Sequence, residues 1–313
     1  MWKRIDVVFT IKSPLHIGYL PFKGSVIIPT RYYIIGRNFW GALTKHATEH
    51  IVDNPTKEYR EIGMQIKDNF RFSYFYLYDN QNIFIPEFSE QGLIFGNNNV
   101  IDKSEFEKRF IGSRVLTAID RDSGTAKDES LHEIEFINEI FIDQNEQIQN
   151  TKIIGCVWIK EGTKLNGKEI KIDNNGVFLN DFNLLEELTL GGEQGYGFGK
   201  VRLESILNNE TFPIKSEHND NDIKIILEKH SPILSHLKYD KKIDFIGDIE
   251  LLTGRGYFDV ENNVINEISY KKNAGTVLGN INYYFAPGTI VNVEEIKKIM
   301  LNWNGTLNIC NDY

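Results

Sequence analysis

The feature that most constrains this fold is a run of glycines that occupies five of the nine positions from 191 to 199. They are Gly191, Gly192, Gly195, Gly197 and Gly199. Glycine is required where the backbone takes a positive φ or where another chain approaches it closely. Residues 182–190 have the apolar spacing of a short amphipathic helix, and residues 200–206 have the composition of a strand. The sequence therefore predicts a glycine-rich loop, residues 190–200, between a helix and a strand.

The glycine-rich loop does not match the two common nucleotide-binding motifs. A P-loop has a glycine five positions before its Gly-Lys pair and a hydroxyl residue after it, but Gln194 and Val201 stand there around Gly199-Lys200. A dinucleotide fingerprint lies after a strand and before a helix, which is the reverse of the order predicted here. No nucleotide cofactor is expected at this loop.

The alternation of Gly195, Gly197 and Gly199 predicts an extended segment with one side cleared of side chains. A polynucleotide backbone could lie along that side, with Tyr196 and Phe198 facing the other way. Lys200 and Arg202 would then supply positive charge. The alternative is a glycine-rich turn that only the fold requires.

A helix start forms a second candidate contact. Residues 26–36 are rich in β-branched and aromatic side chains, and an apolar residue then recurs every four positions at Phe39, Leu43, Ala47 and Ile51. This spacing predicts an amphipathic helix with Asn38 as its N-cap. The unpaired N–H groups of a helix start suit a phosphate, with Arg37 as its partner. A plain cap with Arg37 in solvent is the alternative.

Residues 112–132 combine a short apolar strand with a long charged excursion, and they predict an exposed arm. Its cations could contact backbone phosphates: Arg114, Arg121 and Lys127. Its carboxylates could hold a divalent cation: Asp120, Asp122 and Asp128. A solvated hairpin tip is the alternative. Residues 69–95 alternate aromatic side chains in the manner of strands, whose aromatic face is core or, less often, a surface for stacking bases.

The composition sets further limits. A chain of 313 residues with 41% hydrophobic side chains is expected to fold as two domains. The net charge of −9 argues against non-specific attraction to nucleic acid, although residues 1–60 hold nine cations against four anions. No signal sequence or membrane span is expected, so the chain is predicted to be cytoplasmic. The two cysteines, Cys156 and Cys310, lack metal-ligand spacing, and both are expected to be buried.

Three stretches in this order resemble the RAMP superfamily of CRISPR-associated proteins. They are residues 12–18 after the first strand, residues 28–43 at the first helix, and the glycine-rich loop. The arm is similar to one found in many members. Residues 223–235 repeat the pattern of residues 7–15, including Ser231-Pro232 for Ser13-Pro14. The resemblance implies an α+β fold of two tandem ferredoxin-like (RRM-like) domains: residues 1–206, with the arm and the glycine-rich loop, and a degenerate second copy, residues 207–313.

Within the superfamily, the chain looks most like the subunit that caps the 5′ handle of the guide RNA, the crRNA, in a type III-D-like effector. The resemblance implies a non-catalytic RNA-binding subunit without a cofactor, whose partners are the guide and the backbone RAMP subunits, with target RNA nearby. The five glycines would lie against the guide backbone. Arg31, Arg37, Arg114 and Lys200 would bind phosphates.

Two other functions stay open at this point. An RNA-cleaving RAMP could be a target-cutting backbone subunit using Asp120, Asp122 or Asp128, or a guide-processing endoribonuclease using His16 or His46. A protein-only scaffold would explain the acidic total charge and leave the glycines as structural residues.

Overall fold

A computed structural model describes residues 1–18, 26–90, 92–120, 122–126, 130–207, 211–253, 282–292 and 297–309. These residues form an α+β fold that is mostly sheet, with three α-helices among them. None of these helices has the length and apolar character that a membrane span requires. Cys310 lies outside the described residues.

Within the described part of the first half, residues 1–207, the chain forms all three of these helices and nineteen strands. In chain order the elements are β1 (Trp2–Ile11), β2 (Ile27–Ile28), β3 (Tyr33–Ile34), α1 (Gly36–Ile51), α2 (Glu58–Asn69), β4 (Phe70–Phe72), β5 (Phe75–Tyr78), β6 (Pro86–Ser89), β7 (Gly92–Phe95), β8 (Ile101–Asp102), α3 (Lys103–Phe110), β9 (Ile111–Leu116), β10 (His132–Ile137), β11 (Ile140–Ile142), β12 (Ile148–Asn150), β13 (Lys152–Lys160), β14 (Lys164–Leu165), β15 (Lys168–Ile172), β16 (Val177–Leu179), β17 (Phe182–Asn183), β18 (Glu187–Thr189) and β19 (Lys200–Leu207).

A central antiparallel sheet organises this half. Its strand order is β18-β19-β1-β13-β5-β3, and β4 also pairs with β13. Side chains alternate between the two faces of a strand, and in β1 both faces contribute apolar side chains to a core. Val7, Phe9 and Ile11 enter one core, whereas Trp2 and Val8 enter another. Both faces of the sheet are therefore covered.

The helices cover the first face. Phe39, Leu43 and Ala47 of α1 are fully buried in the same core as Phe9, which confirms the predicted apolar stripe. The predicted cap is wrong. Helix α1 begins at Gly36 with Ile35 at the cap position, and the Asn38 N–H donates to the Ile35 carbonyl at 2.9 Å. Asn38 therefore lies inside the first turn.

The predicted helix over residues 182–190 is also wrong, because the structure has strands β17 and β18 there. Asn183 redirects the chain: its side-chain oxygen accepts hydrogen bonds from the backbone N–H groups of Val177, at 3.2 Å, and Leu185, at 3.1 Å. Side chains of Asn that bond to nearby backbone compete with helix formation. Leu188 then pairs with Val201 on β19.

The second half, described for residues 211–253, 282–292 and 297–309, contains strands and no helix within those ranges. They are β20 (Ser216–His218), β21 (Ile223–Leu227), β22 (Leu237–Lys238), β23 (Phe245–Ile246), β24 (Ile249–Leu252), β25 (Asn282–Phe285), β26 (Ile290–Val291), β27 (Lys297–Leu301) and β28 (Leu307–Ile309). Seven of them form a sheet in the order β20-β21-β27-β28-β22-β25-β24. The domain boundary near residue 206 and the relation of this half to a ferredoxin-like copy stay predictions.

This second sheet packs against the other face of the central sheet. The shared core joins Val8, Tyr76 and Trp158 of the first half to Ile225 and Phe285 of the second. The aromatic side chains of residues 70–76 are buried in the two cores, so they are not available for stacking bases.

A group of polar contacts also joins the two halves. The Arg4 guanidinium pairs with Asp6 at 2.9 Å and donates to the Ile214 carbonyl at 2.7 Å. Asp6 also accepts the Phe212 N–H at 2.7 Å and the Cys156 thiol at 2.9 Å. Cys156 is buried, as predicted.

Candidate nucleic-acid interface

The structure brings three of the stretches singled out in the sequence to one place at an end of the central sheet. Residues 12–18, which follow β1, lie directly against the glycine-rich loop. The Gly192 N–H donates to the His16 carbonyl at 2.9 Å, and the Gly199 N–H donates to the Pro14 carbonyl at 2.8 Å. The Lys200 N–H donates to Ser13 Oγ at 3.0 Å. Backbone N–H groups of the glycine-rich loop thus hold it against residues 12–18.

The buried side chain of His16 connects this junction to the arm. Its side chain is only 4% exposed, and its Nδ1 lies 2.7 Å from the Glu135 carbonyl oxygen at the base of the arm. A carbonyl only accepts, so Nδ1 carries the proton. The Ile17 N–H donates to Thr30 Oγ1 at 2.9 Å, and the Thr30 N–H donates to the Glu135 carboxylate at 3.3 Å. The contacts of His16 are those of a structural residue.

The glycines divide into two groups. Gly191 has φ +76°, and a Cβ there would lie 2.2 Å from the His16 carbonyl oxygen. Gly199 has φ +90°, and its Cβ would lie 2.1 Å from the Leu190 carbonyl oxygen. Such contacts cannot be accommodated, so these two glycines are required by the fold. Gly192 is less crowded, with 3.2 Å between its Cβ position and His16 Cδ2.

Gly195 and Gly197 are different, because a Cβ at either position would meet nothing within 4 Å. The predicted extended segment is wrong here: Gln194–Tyr196 form one 3-10 turn, and Gly197 has φ +85°. The prediction that Tyr196 and Phe198 share a face is wrong as well. Tyr196 is 64% exposed, whereas Phe198 is buried. The tip of the glycine-rich loop is therefore an open turn with one exposed aromatic ring.

The arm is a hairpin of β9 and β10, and its base meets the same loop. Phe198 packs with Phe136 and Ile134 of β10 in a small core. The Arg114 guanidinium lies over both rings, 5.6 Å from the centre of Phe198 and 5.9 Å from that of Phe136. Arg114 remains exposed. Arm and glycine-rich loop thus present an arginine and a tyrosine at one surface.

Two lysines extend this surface. The Lys12 N–H donates to the Lys200 carbonyl at 2.8 Å, which places the two residues side by side where β1 ends and β19 begins. Both are exposed, and neither forms an ion pair with any residue that the structure describes. Arg202, two residues further along β19, is neutralised by Glu187 at 2.6 Å. Sequence reasoning missed Lys12, since only the strand pairing places it beside Lys200. We call Lys12, Arg114, Tyr196 and Lys200, with Gly195 and Gly197, the loop surface.

Arg31 does not join the loop surface. It is 6% exposed, and its Nη1 lies 2.5 Å from Glu250 Oε1 and 3.1 Å from the Tyr33 hydroxyl. Burial alone would lower the pKa of Arg31, but Tyr33 and Glu250 outweigh it and raise the pKa above its usual value. The same carboxylate oxygen contacts His236, whose Nδ1 is 2.6 Å from the Tyr74 hydroxyl. Arg31 therefore ties the two halves together.

Arg37 lies on another side of the fold. It is half-buried, its guanidinium carbon is 6.0 Å from the centre of the Trp303 ring, and burial lowers its pKa. Gly36 before it packs against the second half, since a Cβ there would lie 3.0 Å from the Asn304 carbonyl oxygen. Asn38 is half-buried in the same turn.

The nuclease candidates do not assemble. Asp120 Oδ1 accepts the N–H groups of Ser123, at 2.9 Å, and Asp122, at 3.0 Å, and these bonds lower the pKa of Asp120. It closes the hairpin tip. The half-buried His46 packs on Phe182, 4.8 Å between ring centres, and burial lowers its pKa. Three of the predicted arm residues lie outside the described part of the chain: Arg121, Lys127 and Asp128. Within the described ranges, no group of three potential metal ligands occurs.

Comparison with known proteins shows similarity of fold. No family model matches the sequence, and no curated protein matches it. A chain in the cryo-EM structure of the type III-B Cmr-beta bound to cognate target RNA and AMPPnP superposes with a TM-score of 0.50 at 12% identity, covering 92% of this chain and 86% of that one. A CRISPR protein from Archaeoglobus fulgidus gives a TM-score of 0.36 at 11% identity, over 99% of this chain and all of that one. The first similarity shows a shared fold, and the second is too low to add to it.

Proposed function

We propose that this chain is a non-catalytic RNA-binding subunit of a CRISPR ribonucleoprotein effector complex, which caps the 5′ handle of the guide RNA and nucleates assembly of the backbone subunits. The observation that carries the proposal is the loop surface, where an exposed tyrosine and three cations surround an open turn. Phosphates need cations, and unpaired bases need an exposed ring on which to stack.

The strand order of the first half supports the proposal of a ferredoxin-like domain. The four main strands of the first half run β19-β1-β13-β4 across the sheet, with α1 and α2 between β1 and β4. With the strands numbered by their place in the chain, this is the antiparallel order 4-1-3-2 of a ferredoxin-like domain. The helix expected before the last strand is replaced by β14 to β18. We extend the proposal to a degenerate ferredoxin-like copy in residues 207–313.

The net charge of the chain is compatible with RNA binding over a small part of its surface. The net charge of −9 opposes wholesale coating by RNA, and Arg202 is paired with Glu187. Lys12 and Lys200 lie side by side, and Arg114 lies over Phe198, two residues before Lys200. Binding through a few phosphates suits recognition of one short RNA segment better than recognition of a long duplex.

The test is the binding of labelled guide RNA at several salt concentrations, with the repeat-derived handle at the 5′ end, at the 3′ end, or absent. Tight binding only to the first RNA is expected. Each single-stranded phosphate contact contributes a slope of about 0.7 in log K against log salt, so Lys200→Gln should lower the slope by about that amount. Lys164→Gln, which removes an exposed lysine at the opposite end of the sheet, is the matched control and should leave the slope unchanged.

Other outcomes point to other functions. Equal binding of all three RNAs would contradict a handle cap, and absence of binding would favour a protein-only scaffold. RNA cleavage by the purified chain with added Mg²⁺ or Mn²⁺ would favour the nuclease interpretation. The same variants distinguish these functions, because substitutions in the loop surface should not affect the protein contacts of a scaffold.

A further inference from the structure

Three side chains from distant parts of the chain converge at the edge of the fold that lies away from the loop surface. Trp303 lies in the turn between β27 and β28, Arg37 in the first turn of α1, and Lys67 in the last turn of α2. The Lys67 Nζ is 5.1 Å from the centre of the Trp303 ring, and the Arg37 guanidinium carbon is 6.0 Å from it. Two cations therefore share one indole.

The turn that carries Trp303 is rigid. The Asn302 N–H donates to the Thr306 carbonyl at 2.8 Å, and the Gly305 N–H donates back to Asn302 at 3.0 Å. Gly305 has φ +82° and packs against β4, where a Cβ would lie 2.9 Å from the Phe72 carbonyl oxygen. Trp303 is thus fixed in place before any ligand arrives.

Trp40 supports the indole from the side. The two ring centres are 4.9 Å apart at an interplanar angle of 69°, and Trp40 Nε1 donates to the Gly63 carbonyl at 2.9 Å. Near-perpendicular aromatic pairs are favourable, so Trp40 helps to hold Trp303 in position. Lys67 forms no ion pair with a carboxylate among the residues that the structure describes. Both cations are only half-exposed.

Each cation–π contact contributes about 0.5–1 kcal/mol at an exposed site. A phosphate group is attracted to cations such as Lys67 and Arg37, which lie beside the same ring. We propose that Arg37, Lys67 and Trp303 form a second phosphate-binding site, which takes a phosphodiester group of single-stranded RNA. The inference rests on the proposed function, because it places the same RNA on a second surface.

The proposed second site is separate from the loop surface. The glycine-rich loop leads into β19, whereas Gly36 packs on β4, three strands away across the sheet. Three strand spacings are roughly 14 Å, so one nucleotide cannot occupy both surfaces. The second site therefore adds an independent phosphate contact to those of the loop surface.

Lys67→Gln is the variant that tests this site, and Lys45→Gln is its control, since Lys45 is an exposed lysine of the neighbouring helix α1. Binding of single-stranded guide RNA by Lys67→Gln should lose about 0.7 of slope in log K against log salt, or about four-fold in affinity at 0.15 M salt. Lys45→Gln should bind as the unaltered chain does. Lys67→Arg should restore the slope, which a purely structural loss would not explain.

Tryptophan emission gives a second readout. RNA should change the emission of the unaltered chain, and Trp303→Phe should remove that change. A normal slope in Lys67→Gln together with a reduced one in Lys200→Gln would overturn this site and leave the proposed function intact. Failure of the unaltered chain to bind RNA would overturn both. A response to inorganic phosphate without a response to RNA would also overturn the site, because the ligand would then be a free anion.

Discussion

Arg31 separates a structural from an RNA-binding role more sharply than any other residue. Its guanidinium is 6% exposed and bonds to Glu250 and Tyr33 across the junction of the two halves. Removing one member of a buried ion pair typically costs about 3–5 kcal/mol, because the other charge stays buried without compensation. Arg31→Ala is therefore expected to lower the free energy of unfolding by that amount. The folded fraction should bind guide RNA normally.

The assay is urea unfolding followed by tryptophan fluorescence, combined with a double-mutant cycle. Glu250→Gln alone should also destabilise, and Arg31→Ala with Glu250→Gln should cost less than the sum of the two single changes. A coupling energy above about 1 kcal/mol would support the pair. Near-additive losses below about 1 kcal/mol, together with weaker RNA binding and a smaller salt slope for Arg31→Ala, would refute this reasoning. Arg31 would then be the phosphate ligand that the sequence suggests.

Three further predictions test the remaining structure. Burial and Arg31 hold the pKa of His236 below its ordinary 6.5, so the unfolded chain binds a proton there that the folded chain does not. The free energy of unfolding should therefore fall as pH drops below about 6.5, and His236→Gln should flatten that dependence in urea titrations from about pH 8 to about pH 5; an equal slope in both proteins would contradict it. Gly199→Ala should lower the free energy of unfolding by more than about 2 kcal/mol, and Gly197→Ala should lower it by about 1–2 kcal/mol because of its positive φ. Gly195→Ala should lower it by less than about 0.5 kcal/mol and should weaken RNA binding. Unchanged RNA affinity in Gly195→Ala would leave the loop tip without a role. Asp120→Asn should keep the hairpin tip, since asparagine accepts the same N–H bonds, and should leave RNA cleavage by an assembled effector unchanged; loss of cleavage with assembly intact would identify Asp120 as a metal ligand.

Local patterns in the sequence correctly predicted helix α1 but not the strands that depend on distant contacts. The four-residue spacing of Phe39, Leu43 and Ala47 gave helix α1 correctly, because one stripe of that helix faces the core. The same spacing gave a wrong prediction for residues 182–190, because Leu184 and Leu188 fit a helical stripe equally well. Both are buried, but Leu184 lies in the turn after β17 and Leu188 lies in β18, and the hydrogen bonds of Asn183 favour this turn over a helix.

The high density of glycines correctly indicated a loop, but their alternation wrongly predicted that this loop is extended. The sequence shows five glycines but not the chain that each one meets. Gly191 and Gly199 are required by carbonyl oxygens of His16 and Leu190, and these contacts turn the loop where alternation suggested an extended path. The burial of Arg31 could not be predicted for a similar reason, because its partner Glu250 is 219 residues away along the chain.

The covering of both faces of the central sheet explains where RNA contacts remain available. The helices bury one face, and the second half buries the other. Tyr76 illustrates the consequence: it lies on the sheet like a stacking residue, yet it is fully buried and its hydroxyl donates to the Leu234 carbonyl at 2.8 Å. An RRM-like domain that binds RNA on its open sheet has no equivalent surface here. Under the proposed function, RNA contacts would therefore come from loops at the ends and edges of the sheet, where Arg114 and Lys200 lie. A few such contacts are compatible with an acidic chain, so single substitutions in the loop surface are expected to have measurable effects on RNA binding.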